Sequence, residues 1–290
     1  MWYLFALSSA VIASVRRAND KQLSHSLHNV TLGWSIQLLS LPVQISALLL
    51  FGEWLNPFTL GLQFWLPMLF LVFAFYPLNN YFFFRAMKEG ELSKILPLQS
   101  LSPFFALVLG YIVLGQRPSI MAIPGIVSIM VGVYMLNLKG KYLHNPLKIF
   151  TADKPNLYML ASILLVSLVG VFDTFALKVC EPIYFSLLST VGALGLFSVM
   201  ALRMRIYEVA VARQEIKRLS FSGTFSALTT MTYLAAISDG PIAYVSAIKG
   251  SSILMGSLIG IIYFKESFTK IKAVALCIIS IGAVILALAQ

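Results

Sequence analysis

Charge is what this chain has least of. Asp, Glu, Lys and Arg together make up 11% of its 290 residues, against about 25% in an ordinary soluble domain. A soluble α/β protein would carry charged amphipathic helices between its apolar runs, whereas here almost every charge sits in a short gap between runs of 17 to 25 apolar residues. That distribution excludes a water-soluble fold. Cysteine is nearly absent too: Cys180 and Cys277 have no CxxC spacing and no His neighbours, so neither a disulfide framework nor a zinc site follows and both read as packing residues. His25 and His28 share a helix face but have no acidic neighbour within the motif, which leaves them short of a metal site. No Gly-rich phosphate loop, HExxH or nucleophile elbow is found, and no gap is long enough for a nucleotide-binding domain. The expectation is a protein that is not an enzyme, uses no cofactor and holds no metal. The first positive charges, Arg16 and Arg17, follow the first apolar run instead of preceding it, so that run reads as a span and not as a cleaved signal.

What is present is apolar sequence. Apolar residues make up 59% of the chain and aromatic ones 13%. Ten runs can be drawn, over 1–16, 29–51, 60–84, 92–114, 118–138, 156–177, 182–202, 219–237, 241–264 and 270–289, most of them long enough to cross a bilayer. The sequence predicts an all-α integral membrane protein of ten transmembrane helices. Two gaps are longer than the rest, 139–155 and 203–218. The second places Ile206, Val209, Ala210 and Ile216 at helical spacing against a basic face, the pattern of a helix lying on the lipid surface.

The ten runs fall into two sets of five. A shift of 150 positions lays Ala86 to Gly90 on Ala236 to Gly240, and Gly110, Ile112, Ile129 and Gly132 on Gly260, Ile262, Ile279 and Gly282. Ala106-x-x-x-Gly110 falls on Gly256-x-x-x-Gly260, so both copies carry a small-xxx-small face where helices approach closely. The expected organisation is a first five-helix repeat over 1–138, a loop over 139–155 and a second repeat over 156–290. An odd number of spans per copy inverts one against the other, which places a binding site between them near mid-bilayer.

Basic residues are unevenly divided between the two faces. Of 21 Lys and Arg, 18 lie in the gaps after the odd-numbered spans or within three residues of them, only Arg117 and Lys178 lie in the opposite gaps, and Lys249 is well within a span. Basic loops face the cytoplasm, which puts both termini outside a cell (inner or plasma) membrane. The net charge of +10 is then accounted for by loops facing anionic lipid, with no nucleic acid required.

Ionisable side chains inside spans are costly and mark function unless they pair. Asp173 lies in the sixth span, and either takes up and releases a proton during transport or pairs with Lys178 or Lys249. Lys249 lies in the ninth, as a counter-charge for substrate or as a snorkelling or paired lysine. Tyr76, Asn79, Asn80 and Phe83 form a polar stripe at i, i+3, i+4 and i+7 in the third span; Ser226, Thr229, Thr230 and Tyr233 form another in the eighth. Gln99 and Ser102 align through the repeat with Lys249 and Ser252. These residues either shape a shared cavity or hold helices together. Pro77, Pro97 and Pro103 each remove a backbone donor from the third and fourth spans and are expected to bend them.

The chain resembles the drug/metabolite transporter superfamily in its EamA-like branch. The likeness is carried by Ala86 to Gly90 followed by Ser93, Pro97, Leu101-Ser102-Pro103 and Gly110, by Gly125 and Gly132-Val-Tyr-Met-Leu136, and by Ser251, Gly260, Phe264-Lys-Glu266 and Gly282. The chain has Gly115-Gln116 where that family usually has Gly-Glu, and its charge bias reverses the usual cytoplasmic termini. The resemblance implies a secondary active transporter, often an exporter, of small organic metabolites such as amino acids or drug-like compounds. It would work by alternating access around a central cavity, as monomer or homodimer in membrane lipid, with proton coupling. In that reading Asp173 is the coupling or ion-pair site, Lys249 meets substrate charge, and Tyr76, Asn79, Gln99, Thr230, Tyr233 and Ser252 shape the pocket. A transporter or flippase of nucleotide-linked or lipid-linked sugars is the first alternative. A non-transporting membrane subunit is the second, and it predicts that the two polar stripes close on each other without a cavity.

Overall fold

The computed structural model describes residues 2–91, 95–116, 119–137, 153–204, 208–250 and 269–288. These are helical throughout, with no strand among them. The first helix, α1 (Trp2–Ser26), is followed by α2 (Asn29–Phe51) and then by α3, which runs from Leu62 to Glu89 with a π turn at Leu71–Phe75. A 3-10 turn at Leu96–Leu101 leads into α4 (Ser102–Leu114), followed by α5 (Ala122–Asn137), α6 (Lys154–Ala176) and α7 (Pro182–Met204). The remainder comprises the short α8 (Val209–Gln214), α9 (Ile216–Asp239), α10 (Ile242–Gly250) and α11 (Lys270–Leu288). By length and hydropathy α2, α3, α6 and α7 are each able to cross a membrane. Large apolar side chains such as Leu50, Ile112, Val199 and Ile281 stand exposed on helix exteriors, where lipid and not water is the solvent that suits them.

Packing follows a simple set of pairs. The helix α1 lies against α9 and α10, α6 lies against α3 and α4, and α2 against α7 and α9; α4 meets α10 and α5 meets α11. Close crossings occur where a side chain is missing. At Gly132 a Cβ would come within 2.5 Å of the Ile279 side chain and 2.9 Å of the Ala275 carbonyl oxygen. Gly132→Val is therefore expected to lower the melting temperature of the purified protein by several degrees, since overpacking costs about 1–3 kcal/mol. Gly195→Ala is the control, because nothing lies within 4 Å of its Cβ site; equal melting temperatures for the two variants would refute the crossing.

Gly90 and Gly240, equivalent in the repeat, end α3 and α9 in the same extended backbone conformation, with φ of −115° and −118°. Each donates its N–H to the alanine carbonyl four residues earlier, Ala86 and Ala236. Helix α3 continues to Glu89 and α9 to Asp239, both beyond the apolar runs, because the backbone stops at these glycines and not where the hydropathy falls.

Two segments differ from expectation. The first apolar run does not end at residue 16: α1 continues ten residues further, to Ser26. Its charges are absorbed by partners, since Arg16 pairs with Asp20 one turn on at 2.8 Å, and Arg17, Asp20 and Lys21 are all buried. The second is 203–218, which is not one surface helix. Its described residues belong to the end of α7, the six residues of α8 and the start of α9, with a break at Glu215; Ile206 lies outside the described residues. Glu208 Oε2 accepts from the backbone N–H of His28 at 2.7 Å, tying this segment to the start of α2. His28 in turn caps α2, its Nδ1 accepting from the Val30 N–H, and so serves as a helix cap.

Candidate functional site

A cavity of about 320 Å³ lies between the helices, lined from α1, α2, α3, α6, α7, α9 and α10, from the 3-10 turn before α4 and from the first residue of α4, Ser102. Local irregularities aim side chains into it. Pro77 has no N–H to continue the α-helical ladder, and α3 passes through its π turn just before that residue, with the Tyr76 N–H bonded back to the Leu71 carbonyl. A π turn inserts one residue and so rephases the helix face. After it, Tyr76, Asn79, Asn80 and Phe83 all line the cavity. The expected bends at Pro97 and Pro103 take the form of the 3-10 turn Leu96–Leu101 and the first turn of α4. Gln99 sits in that turn and faces the same space.

Helix α6 brings Ser162, Val166, Val169 and Asp173 to the cavity at helical spacing. Ser162 Oγ donates to Asn79 Oδ1 at 2.7 Å, and Tyr76 Oη donates to Asp173 Oδ1 at 3.4 Å. Asp173 is only 2% exposed. Neither expected ion pair of Asp173 is formed: Lys178 is exposed, with its ammonium 5.2 Å from the centroid of the Phe175 ring. The ion pairs Arg16–Asp20, Arg85–Glu89 and Arg218–Glu215 do not involve Asp173.

On the opposite wall α9 contributes Ser226, Thr229, Thr230 and Tyr233, and α10 contributes Ser246 and Lys249. The Lys249 ammonium lies 3.9 Å from the centroid of the Tyr233 ring, close enough for cation–π attraction. Gly170 makes this arrangement possible. A Cβ on Gly170 would stand 2.6 Å from the Ile242 side chain and 2.8 Å from Tyr233 Oη, so α6 touches both partners only because it has none there.

The structure brings Tyr76, Asn79, Gln99, Asp173, Thr230, Tyr233 and Lys249 to one cavity; Ser252 lies outside the described residues. It adds what the sequence reading left in a loop. Arg16, Arg17 and Asp20 of α1 also line the cavity. Arg17 Nη2 donates to Gln99 Oε1 at 3.0 Å, and Ser222 Oγ donates to Asp20 Oδ1 at 2.6 Å. The lining thus holds three basic side chains and two carboxylates among hydroxyls and amides. Such a surface can bind a small polar solute out of bulk water. Residues of both polar stripes line this one cavity.

Comparison with known proteins matches this picture. A model of the EamA-like transporter family matches residues 1–138 and 153–288. No curated protein sequence matches. Among solved structures, a protein crystal structure aligns over 99% of this chain and 96% of its own, with a TM-score of 0.73 at 14% identity, a likeness of fold alone. Its apolar helices and the family match over nearly its whole length make this chain a multi-pass membrane protein belonging to the EamA-like transporter family of the drug/metabolite transporter superfamily.

Proposed function

We propose that the protein is a secondary active transporter of small organic metabolites that works by alternating access between two inverted five-helix repeats, 1–138 and 156–290. The observation that carries the reading is the cavity itself, polar and charged, between helices of both halves. The packing pattern supports the inverted repeat: α1 meets α9 as α6 meets α3, α1 meets α10 as α6 meets α4, and α2–α7, α4–α10 and α5–α11 are each self-equivalent under exchange of the halves. Rocking one half against the other would open the cavity to each face in turn. Lys249 is the charge anchor for substrate, Asp173 the proton-coupling site, and Tyr76, Asn79, Gln99, Thr230 and Tyr233 the walls, with Ser252 extending them.

At about 320 Å³ the cavity is at the lower end of the range for small-molecule sites, which favours a compact metabolite over a nucleotide-linked or lipid-linked sugar. The extension of α1 alters the charge count without reversing it: removing Arg16, Arg17 and Lys21 from the 18 leaves 15 on the basic face, against Arg117 and Lys178. Termini outside remain the orientation these charges favour, with export as the direction of transport.

The test is uptake by the full-length protein reconstituted in liposomes, using a pooled set of labelled amino acids and other small metabolites, with and without a pH gradient. Saturable uptake of at least one compound, absent from empty liposomes, is expected. No uptake by protein that retains its native melting transition would overturn the transporter reading.

A further inference from the structure

Four features of the cavity bear on the charge of what it takes. Arg17, on α1, is 8% exposed, and its Nη2 donates to the neutral side-chain carbonyl of Gln99 at 3.0 Å. Lys249, on α10, rests on the face of Tyr233. Gln99 and Lys249 occupy the same position in the two halves, 150 residues apart, on segments that pack together. Each carboxylate of the lining has a hydroxyl donor: Ser222 donates to Asp20 at 2.6 Å, which also pairs with Arg16 at 2.8 Å, and Tyr76 donates to Asp173.

We infer that the cavity binds an organic anion, a carboxylate or a phosphate monoester, held between the Arg17 guanidinium and the Lys249 ammonium. This rests on the transporter reading and names its substrate class. With three basic groups and two carboxylates among the described residues of the lining, the formal balance there is one positive charge, which an anion offsets and a neutral or cationic ligand does not. Removed from bulk water, such an excess is costly unless an opposite charge arrives with the ligand. An incoming carboxylate or phosphate exchanges the neutral Gln99 acceptor for a charged one. Charge-assisted hydrogen bonds are about twice as strong as neutral ones, and the planar fork of arginine matches both oxyanion geometries. Gln99 then acts as a placeholder that holds the guanidinium in position between ligands. Arg17 is the specificity-determining residue that the sequence alone leaves outside the membrane.

The experiment is calorimetric titration of the purified full-length protein with succinate, glycerol 3-phosphate, short-chain phosphatidic acid and the neutral analogue succinamide. At least one anion is expected to bind and succinamide is not. Arg17→Gln is expected to weaken the anion by about tenfold or more, the loss of one charged hydrogen bond, whereas Arg17→Lys, which keeps the charge, retains most of the affinity. Binding of phosphatidic acid alone would identify the anion as a lipid headgroup; binding of the free anions would identify it as a soluble metabolite. Equal binding of succinamide, equal affinity in Arg17→Gln, or no binding of any anion would each overturn the inference. If anions fail while liposomes still take up a neutral or cationic metabolite, only the anion assignment falls. If nothing is transported, the transporter reading falls with it.

Discussion

Lys249→Gln is expected to weaken substrate affinity by roughly 10- to 150-fold while leaving the protein folded. Lys249 is the one ionisable side chain on α10 that lines the cavity among the described residues, and its partner there is an aromatic face and not a carboxylate. A hydrogen bond to a charged group is worth about 1.5–3 kcal/mol, and each 1.4 kcal/mol is tenfold in affinity. Glutamine preserves length and some hydrogen bonding but no charge, so the loss isolates the electrostatic part. The second half of the test is Tyr233. Phenylalanine there keeps the ring under the ammonium, whereas leucine removes it and with it about 0.5–2 kcal/mol of cation–π attraction. Binding constants should therefore fall in the order wild type, Tyr233→Phe, Tyr233→Leu, Lys249→Gln. If Lys249→Gln matches wild type in affinity and transport rate, Lys249 is a structural lysine and the anchor lies elsewhere.

How much of this site is visible in the sequence depends on how each residue declares itself. Asp173 and Lys249 stand out because a charge within an apolar run is costly in lipid unless it pairs or reaches water. The stripes of α3 and α9 follow from the 3.6-residue period, and residues of both line the cavity. Arg17 and Asp20 could not be read the same way, because a charge at the end of an apolar run resembles the start of a loop. The relevant signal was backbone chemistry and not hydropathy. No Gly or Pro occurs before Gly33, so nothing stops the helix at residue 16, and Arg16 and Asp20 are spaced i, i+4 to pair along it. The segment 203–218 misled for the opposite reason. Its apolar periodicity is real, but Glu208 reaches the first N–H of the α2 turn, and that long-range tie is not encoded in local spacing. The Arg17–Gln99 bond joins residues 82 apart and emerges only when α1 and the turn before α4 are placed side by side.

Asp173→Asn is expected to uncouple transport from the proton gradient. In the wild type an imposed pH gradient should accelerate uptake and drive accumulation above equilibrium, and an ionophore that collapses the gradient should abolish both. The asparagine variant, nearly identical in shape but unable to gain or lose a proton, should take up substrate at one rate with or without the gradient and reach only equilibrium. Exchange of labelled for unlabelled substrate should continue, because the cavity and its cationic wall are intact. The reason to assign coupling here is geometric. Asp173 is 2% exposed, at the cavity end of α6, its carboxylate accepts from the Tyr76 hydroxyl, and no basic side chain among the described residues pairs with it. A carboxylate held this way has a neutral hydroxyl as its partner and lies on the wall of the cavity, within reach of what enters it. Asp20 provides the contrast. It too lines the cavity, but Arg16 lies 2.8 Å from it and Ser222 donates to it at 2.6 Å, so it ties α1 to α9. Asp20→Asn should therefore cost stability and leave the gradient response in place. Tyr76→Phe, which removes the hydroxyl that donates to Asp173 while keeping the ring, should shift the pH at which uptake is half-maximal without abolishing coupling. Gradient-driven accumulation that survives in Asp173→Asn would move the coupling site away from α6 altogether.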